Sequence, residues 1–157
     1  MTSRLAIAVL LLNCAFCYAS DKDPSPGADG YCLVSTVEDN VWIKGETNIT
    51  SVYRGCRFHF LNGNAKAKFD KKPEFYAPMI DGNDPVLSAD SDKRVPGKRG
   101  FAMRHKDRTF FFASRKNMEA FDANPDPYAL HARNQQEIED KLRRLELNRG
   151  KPASVKP

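Results

Sequence analysis

Apolar and polar residues alternate with a period of two in four short runs, arranged as two pairs. "ITSVY" (49–53) and "CRFHF" (56–60) flank Arg54-Gly55, and "GFAMRH" (100–105) and "RTFFF" (108–112) flank Lys106-Asp107. Alternation, aromatic and β-branched content and a two-residue polar break predict two β-hairpins. Gly55 takes a positive φ without a Cβ penalty, and Asp107 tolerates one better than most residues. Past each hairpin the pattern turns helical. Asn62 and Ser114 stand as N-caps before "GNAKAKFD" and "RKNMEAFDA", where Ala65 with Phe69, and Asn117 with Phe121, share one helical face. These helices must stop ahead of Pro73 and Pro125, because the residue before a proline avoids helical angles. A further helix is predicted over 131–150, with acids early, cations late, and Gly150 and Pro152 to end it. Its apolar stripe, Ile138, Leu142 and Leu145 with Leu130, is expected to dock on the protein's own core, a partner site being the competing reading. The fold class read from this pattern is α+β.

The two hairpin–helix segments are copies of each other. Phe58, Phe60, Phe69, Asp70, Pro73, Tyr76 and Ala77 recur 52 residues later as Phe110, Phe112, Phe121, Asp122, Pro125, Tyr128 and Ala129. Asp29, Gly30, Val34 and Gly45 recur at the same offset as Asp81, Gly82, Val86 and Gly97, with no gap. The matched types are turn residues and core aromatics, which points to a tandem duplication. Unit one spans 28–78 and unit two 80–130, each a hairpin-based sheet with a short helix. Phe58, Phe60, Phe69 and Tyr76 are expected to meet in one core, and Phe110, Phe112, Phe121 and Tyr128 in another. A unit of this size is marginal alone, so the two should share an interface. Asp70 and Asp122, near the helix ends, are expected to serve as caps or turn residues.

Composition adds an address. Residues 1–19 carry Arg4, an apolar run from Leu5 to Leu12 and small residues up to Ala19, the build of a secretory signal peptide. The run is shorter than the roughly 20 residues of a membrane-spanning helix. A secreted or periplasmic location is expected, with no transmembrane span after signal removal; an uncleaved N-terminal anchor is the competing reading. Residues 20–27 read as a linker and 151–157 as a disordered tail. Cys14 and Cys17 fall in the leader, leaving Cys32 and Cys56, enough for one disulfide at most. The net charge of +5 is diluted, since residues from 131 onward hold seven Lys/Arg against four acids. That is not the footprint of a dedicated nucleic-acid binder. One run, Lys93 to Arg108, packs seven cations with one acid, and reads either as a solvated edge or as a site for an anionic partner.

Chemistry-bearing residues are sparse. No nucleophile elbow, zincin pair or phosphate loop occurs, and the reading is non-enzymatic. Cys32, Cys56 and His59 offer thiol and imidazole donors suited to copper or zinc. A Cys32–Cys56 disulfide and two separate thiols are the competing readings. His59 alternates with Phe58 and Phe60 and should face away from them, and His105, beside the second turn, should be exposed. Asn48-Ile49-Thr50 is a glycosylation sequon, meaningful only in a eukaryotic secretory route.

The motifs of unit two, "GNDPVLSA" followed by "TFFFASRKNMEAFDANPDPYA", resemble the YHS domain. The likeness rests on Asp84, Pro85, Val86, Phe110, Phe112, Ser114, Phe121, Asn124, Pro125 and Tyr128. Unit one is a looser copy that keeps Gly30, Tyr31, Val34, Phe58, Phe60, Phe69, Pro73 and Tyr76. The exported tandem form is similar to bacterial proteins, and the resemblance implies a small binding or interaction module for an unknown protein or small ligand. Some YHS-like domains bind metals through cysteines after "D-P-V", after the aromatic strand and in the first helical turn. Here those places hold Ser35, Leu61 and Ala65 in unit one, and Leu87, Ala113 and Asn117 in unit two. The resemblance therefore implies the scaffold without its cysteine metal site.

Overall fold

The computed structural model describes residues 24–149. The expected leader (1–19) and tail (151–157) lie outside these residues, as does the first half of the expected linker (20–23). The chain is α+β. Unit one runs β1 (Ser25–Pro26), α1 (Leu33–Asp39), β2 (Glu46–Tyr53), β3 (Cys56–Phe60), α2 (Gly63–Lys71) and α3 (Pro73–Tyr76). Unit two runs α4 (Pro85–Ser91), β4 (Lys98–His105), β5 (Arg108–Phe112), α5 (Arg115–Ala123) and α6 (Pro125–Arg149). The first sheet has strand order β1-β3-β2 and the second pairs β4 with β5. β1 occupies part of the expected linker and pairs in parallel with β3. Its counterpart in unit two is a single parallel bridge from Pro78 to Thr109.

The duplication extends to backbone conformation. Every left-handed residue described in one unit has a left-handed partner 52 positions on: Ala28 and Ile80, Asp29 and Asp81, Gly30 and Gly82, Asn40 and Asp92, Arg54 and Lys106, Gly55 and Asp107. A side chain in this region costs roughly 1–2 kcal/mol, so its repetition marks one inherited architecture. The hairpins turn on two left-handed residues each, the type I′ geometry that matches strand twist. Both carry a bulge at the same place, between Glu46 and Thr50 and between Lys98 and Ala102. Gly45 and Gly97 sit against the opposite strand. A Cβ built on Gly45 would lie 2.4 Å from the His59 carbonyl carbon, and on Gly97 2.4 Å from that of Phe111. Gly97→Ala should therefore lower stability by about 1–3 kcal/mol in urea unfolding; an unchanged midpoint would show that this backbone contact yields freely.

Rings fill both cores as the spacing predicts. Phe69 packs on Phe58 at 5.1 Å, Phe60 at 4.9 Å and Tyr76 at 6.3 Å between centroids. Phe121 packs on Phe110 at 4.8 Å, Phe112 at 5.1 Å and Tyr128 at 6.2 Å. Phe111 points the other way and joins the unit-one core, so the units share buried surface. The N-caps form as expected: Asn62 accepts from Ala65 N at 2.9 Å and Ser114 from Asn117 N at 3.2 Å. Asp70 ties its helix end to β2, accepting from Ser51 Oγ at 2.5 Å and from Lys66.

Three expectations need correction. The apolar run opening each unit forms a helix, α1 or α4, in addition to the expected short one; each ends on a left-handed residue, Asn40 or Asp92. The C-terminal helix starts at Pro125, not at 131, because proline suits the first helical turn. In unit one the matching helix stops after Tyr76, two residues before Pro78; unit two has Leu130 at that position, and the helix runs on. Finally, the stripe on α6 does not dock. Ile138, Leu142 and Leu145 are 58, 54 and 58 % exposed, and Leu130 is exposed as well. The inward face of α6 carries Ala129 and Ala132 with polar residues: Gln136 accepts from Ile80 N at 2.9 Å and Gln135 from Ser88 Oγ at 2.6 Å.

Tyr76 closes the unit-one core with a polar contact. Its hydroxyl donates to Glu38 at 2.8 Å, and Lys68 lies 2.5 Å from the same carboxylate. Burial and the Glu38 bond push the phenol from 10 up to about 12. The folded state thus holds the proton more tightly than the unfolded chain. Its contribution is complete below pH 10 and is lost as pH rises toward 12. The stability difference between wild type and Tyr76→Phe should shrink across that window; a difference that stays constant would exclude the linkage.

Candidate ligand cleft between the two repeats

The left-handed turns of the two units meet. Gly27, Ala28 and Asp29 from one, and Asp81 and Gly82 from the other, line a cleft of about 180 Å³ with Cys56, Phe58, Arg99 and Phe111. Its two carboxylates occupy the same position of the repeat but different electrostatic states. Asp81 is taken up by Arg54, whose Nε lies 2.9 Å away, and by Arg143. Asp29 is exposed and makes no ion pair among the described residues.

Arg99 lies in the β4 bulge, where strand pairing lapses and a side chain can be re-aimed. Its guanidinium sits 4.2 Å from the Tyr31 ring centroid and 5.4 Å from that of Trp42. Tyr31 and Trp42 pack edge to face at 6.0 Å, and Trp42 contacts Phe111 at 6.2 Å, so residues of both units make the platform. Stacking satisfies the face of the guanidinium but none of its five N–H donors. Arg99 Nε is buried and has no hydrogen-bond partner among the described residues. Lys44 Nζ lies over the same Tyr31 ring at 5.9 Å. The Tyr31 ring thus has two cations near it, of which the planar one, Arg99, lines the cleft.

Cys56 lines the cleft as a free thiol. Burial, then the charge of Asp81, raises its pKa, which keeps it protonated and weakly nucleophilic at neutral pH. Cys32 is also free, so the disulfide reading does not hold. It is fully buried at the N-cap of α1, inside the unit-one core. His59 is half-buried on the far side of β3 from Phe58 and Phe60, its Nδ1 3.3 Å from the Glu46 carbonyl. Core, cleft and strand face keep the three apart, and no group of three His, Cys, Asp or Glu among the described residues could hold a metal ion. The copper or zinc site expected at Cys32, Cys56 and His59 is therefore not assembled. His105 is not exposed as expected either; it is half-buried edge-on to Phe121 at 5.9 Å and 3.2 Å from Asp126.

The places that resemble cysteine ligand positions do converge in unit two, but on a carboxylate. Asp84 is fully buried. Its Oδ1 accepts from Val86 N and Leu87 N at 2.9 and 3.1 Å, and its Oδ2 from Ala113 N and Asn117 Nδ2, both at 2.7 Å. Unit one has Cys32 at the equivalent position and no side-chain cap. Sequence reading saw Asp84 only as part of a motif; an acid directly before Pro-Val and a helix was the available signal for an N-cap.

The basic run Lys93–Arg108 does not form one surface. Arg94 pairs with Glu139, Arg104 stacks on Phe75 at 5.1 Å, and Arg108 donates to the Glu74 carbonyl. Lys106 and His105 both engage Asp126, at 2.6 and 3.2 Å, and those bonds hold its carboxyl below the usual range. Alternation along β4 and the turn sends these cations to different neighbours, and Arg99 is the one that reaches the inter-unit cleft. No helix among the described residues is long and apolar enough to cross a membrane. Comparison with known proteins places the chain beside none of them: no family model, no curated protein and no solved structure matches it.

Proposed function

We propose that this chain is an exported, non-enzymatic module of YHS-like build that binds a small anionic ligand between its two repeats. The observation that carries this reading is Arg99: a guanidinium clamped on Tyr31 and Trp42, its Nε buried and without a partner, at the wall of a cleft lined by both units. The unpaired Nε marks a guanidinium that its surroundings leave without an acceptor, and charge-assisted bonds from its outer N–H groups to an incoming carboxylate or phosphate oxygen would offset that cost, roughly 1–3 kcal/mol. Guanidinium presents paired donors to such groups in a fixed plane, and pre-stacking removes much of the ordering cost. Lys44, over the same Tyr31 ring, adds a second positive charge nearby.

Titration calorimetry at low ionic strength with citrate, glutamate and inorganic phosphate tests the reading. At least one probe should bind, and Arg99→Met should weaken it about tenfold or more, as expected for losing a charge-assisted bidentate contact. Heat changes equal in wild type and Arg99→Met, or absent with all three probes, would overturn it. Export is checked separately: the N-terminus of the secreted chain should be Ser20.

A further inference from the structure

We propose that α6 pairs in parallel with α6 of a second copy of this chain. The helix is amphipathic in the reverse sense from a docked one. Its inward face is spent on alanines and polar contacts, including Glu139 to Arg54 at 3.2 Å. Its outward face carries Ile138, Leu142 and Leu145, more than half exposed. Their spacing of four and then three is a heptad seam, the pattern that buries itself only against another helix. Leu147 is exposed on the opposite side of the helix, but Ile138, Leu142 and Leu145 group on one face, and such a group marks an interaction surface.

The flanking charges choose the occupant and its direction. With Leu142 and Leu145 in the seam, Lys141 precedes it at a g position and Glu146 follows at an e position. Both are exposed and make no ion pair among the described residues. In a parallel pair, g of one helix faces e of the next heptad of its neighbour. Two-fold symmetry then places each Lys141 beside the partner's Glu146, twice. An antiparallel pair instead brings Glu146 toward the partner's Glu139 and leaves Lys141 opposite Asn148. A parallel second copy therefore satisfies the apolar seam and both free charges together. The seam is short, so pairing depends on concentration.

Sedimentation equilibrium of the full secreted chain over a range of concentrations provides the test. A monomer–dimer equilibrium is expected. Leu142→Glu should abolish dimerisation while leaving the circular dichroism spectrum unchanged, because position 142 is exposed in the monomer. Lys141→Glu turns two attractions into two repulsions and should weaken the dimer about tenfold. The double variant Lys141→Glu/Glu146→Lys should restore it. A chain that is monomeric throughout would overturn the proposal, as would a dimer indifferent to Lys141→Glu or a double variant that fails to rescue. Cosedimentation of a monomeric chain with phosphatidylglycerol vesicles, lost in Leu142→Glu, would assign the stripe to a lipid surface instead.

Discussion

Asp84→Ala is expected to lower the unfolding free energy by about 4 kcal/mol or more, the largest effect of any single side chain described here. The fully buried carboxylate receives four hydrogen bonds: two from the N-terminus of α4, one from the chain leaving β5, and one from Asn117 on α5. Alanine leaves all four donors without their acceptor; Val86 N is buried and the other three are partly buried, and an orphaned donor costs roughly 1–3 kcal/mol where water cannot reach it. Loss of the cap adds about 1 kcal/mol. Asp84→Asn is the graded control, since its amide presents one acceptor and opposes two donors with its own N–H groups. Cys32→Ala is the internal one: the same position of the repeat, equally buried, with no cap bond. Urea unfolding midpoints with unchanged slopes should rank Asp84→Ala far below Asp84→Asn, and that below Cys32→Ala. If Asp84→Ala costs no more than Cys32→Ala, the carboxylate does not hold α4, β5 and α5 together.

Arg54→Met should cost about 3–5 kcal/mol, the range for stranding buried charges by removing one partner. Arg54 occupies the left-handed turn of the first hairpin, with its side chain only 6 % exposed. From there it reaches Asp81 at 2.9 Å in unit two and Glu139 at 3.2 Å and Asp140 at 3.4 Å on α6. Arg143 returns the contact, donating to the Arg54 carbonyl and to Asp81. This one side chain therefore joins unit one, unit two and α6. Asp81 keeps Arg143 in the variant and Glu139 keeps Arg94, which places the loss toward the lower end of the range. Glu139→Gln combined with Arg54→Met should cost less than the sum of the single changes, because the two act on one interaction. The loss should persist in high salt, since buried pairs are screened weakly. Additive costs, or a loss that vanishes in salt, would reduce the cluster to surface pairing.

The candidate cleft was less legible than the fold. Arg99 was in view only as one of seven cations between Lys93 and Arg108. Nothing local separates it from Arg104 or Arg108; the difference is that its ring partners, Tyr31 and Trp42, lie far back in the other unit. Cys32, Cys56 and His59 showed the opposite failure. Their donor chemistry suits a soft metal, but one faces a core, one a cleft and one the outer side of a strand. Donor type is written in a side chain, whereas convergence depends on where the backbone carries it.

The residues by themselves determined whatever is decided within a few positions along the chain. The hairpin turns, the caps at Asn62 and Ser114, the ring clusters around Phe69 and Phe121 and the duplication follow from backbone sterics, local hydrogen bonding and spacing. Even the length of α6 traces to one local difference, Leu130 where unit one has Pro78. Tertiary structure decided which face each element spends. It turned the polar side of α6 inward, because Arg54 and Ile80 N needed Glu139 and Gln136 more than the core needed further aliphatic volume. It also sent Phe111 across to the other unit and left Arg99 stacked between them, its Nε without a partner among the described residues. These outcomes balance desolvation against pairing among groups tens of residues apart, and that balance exists only once the chain has brought them together.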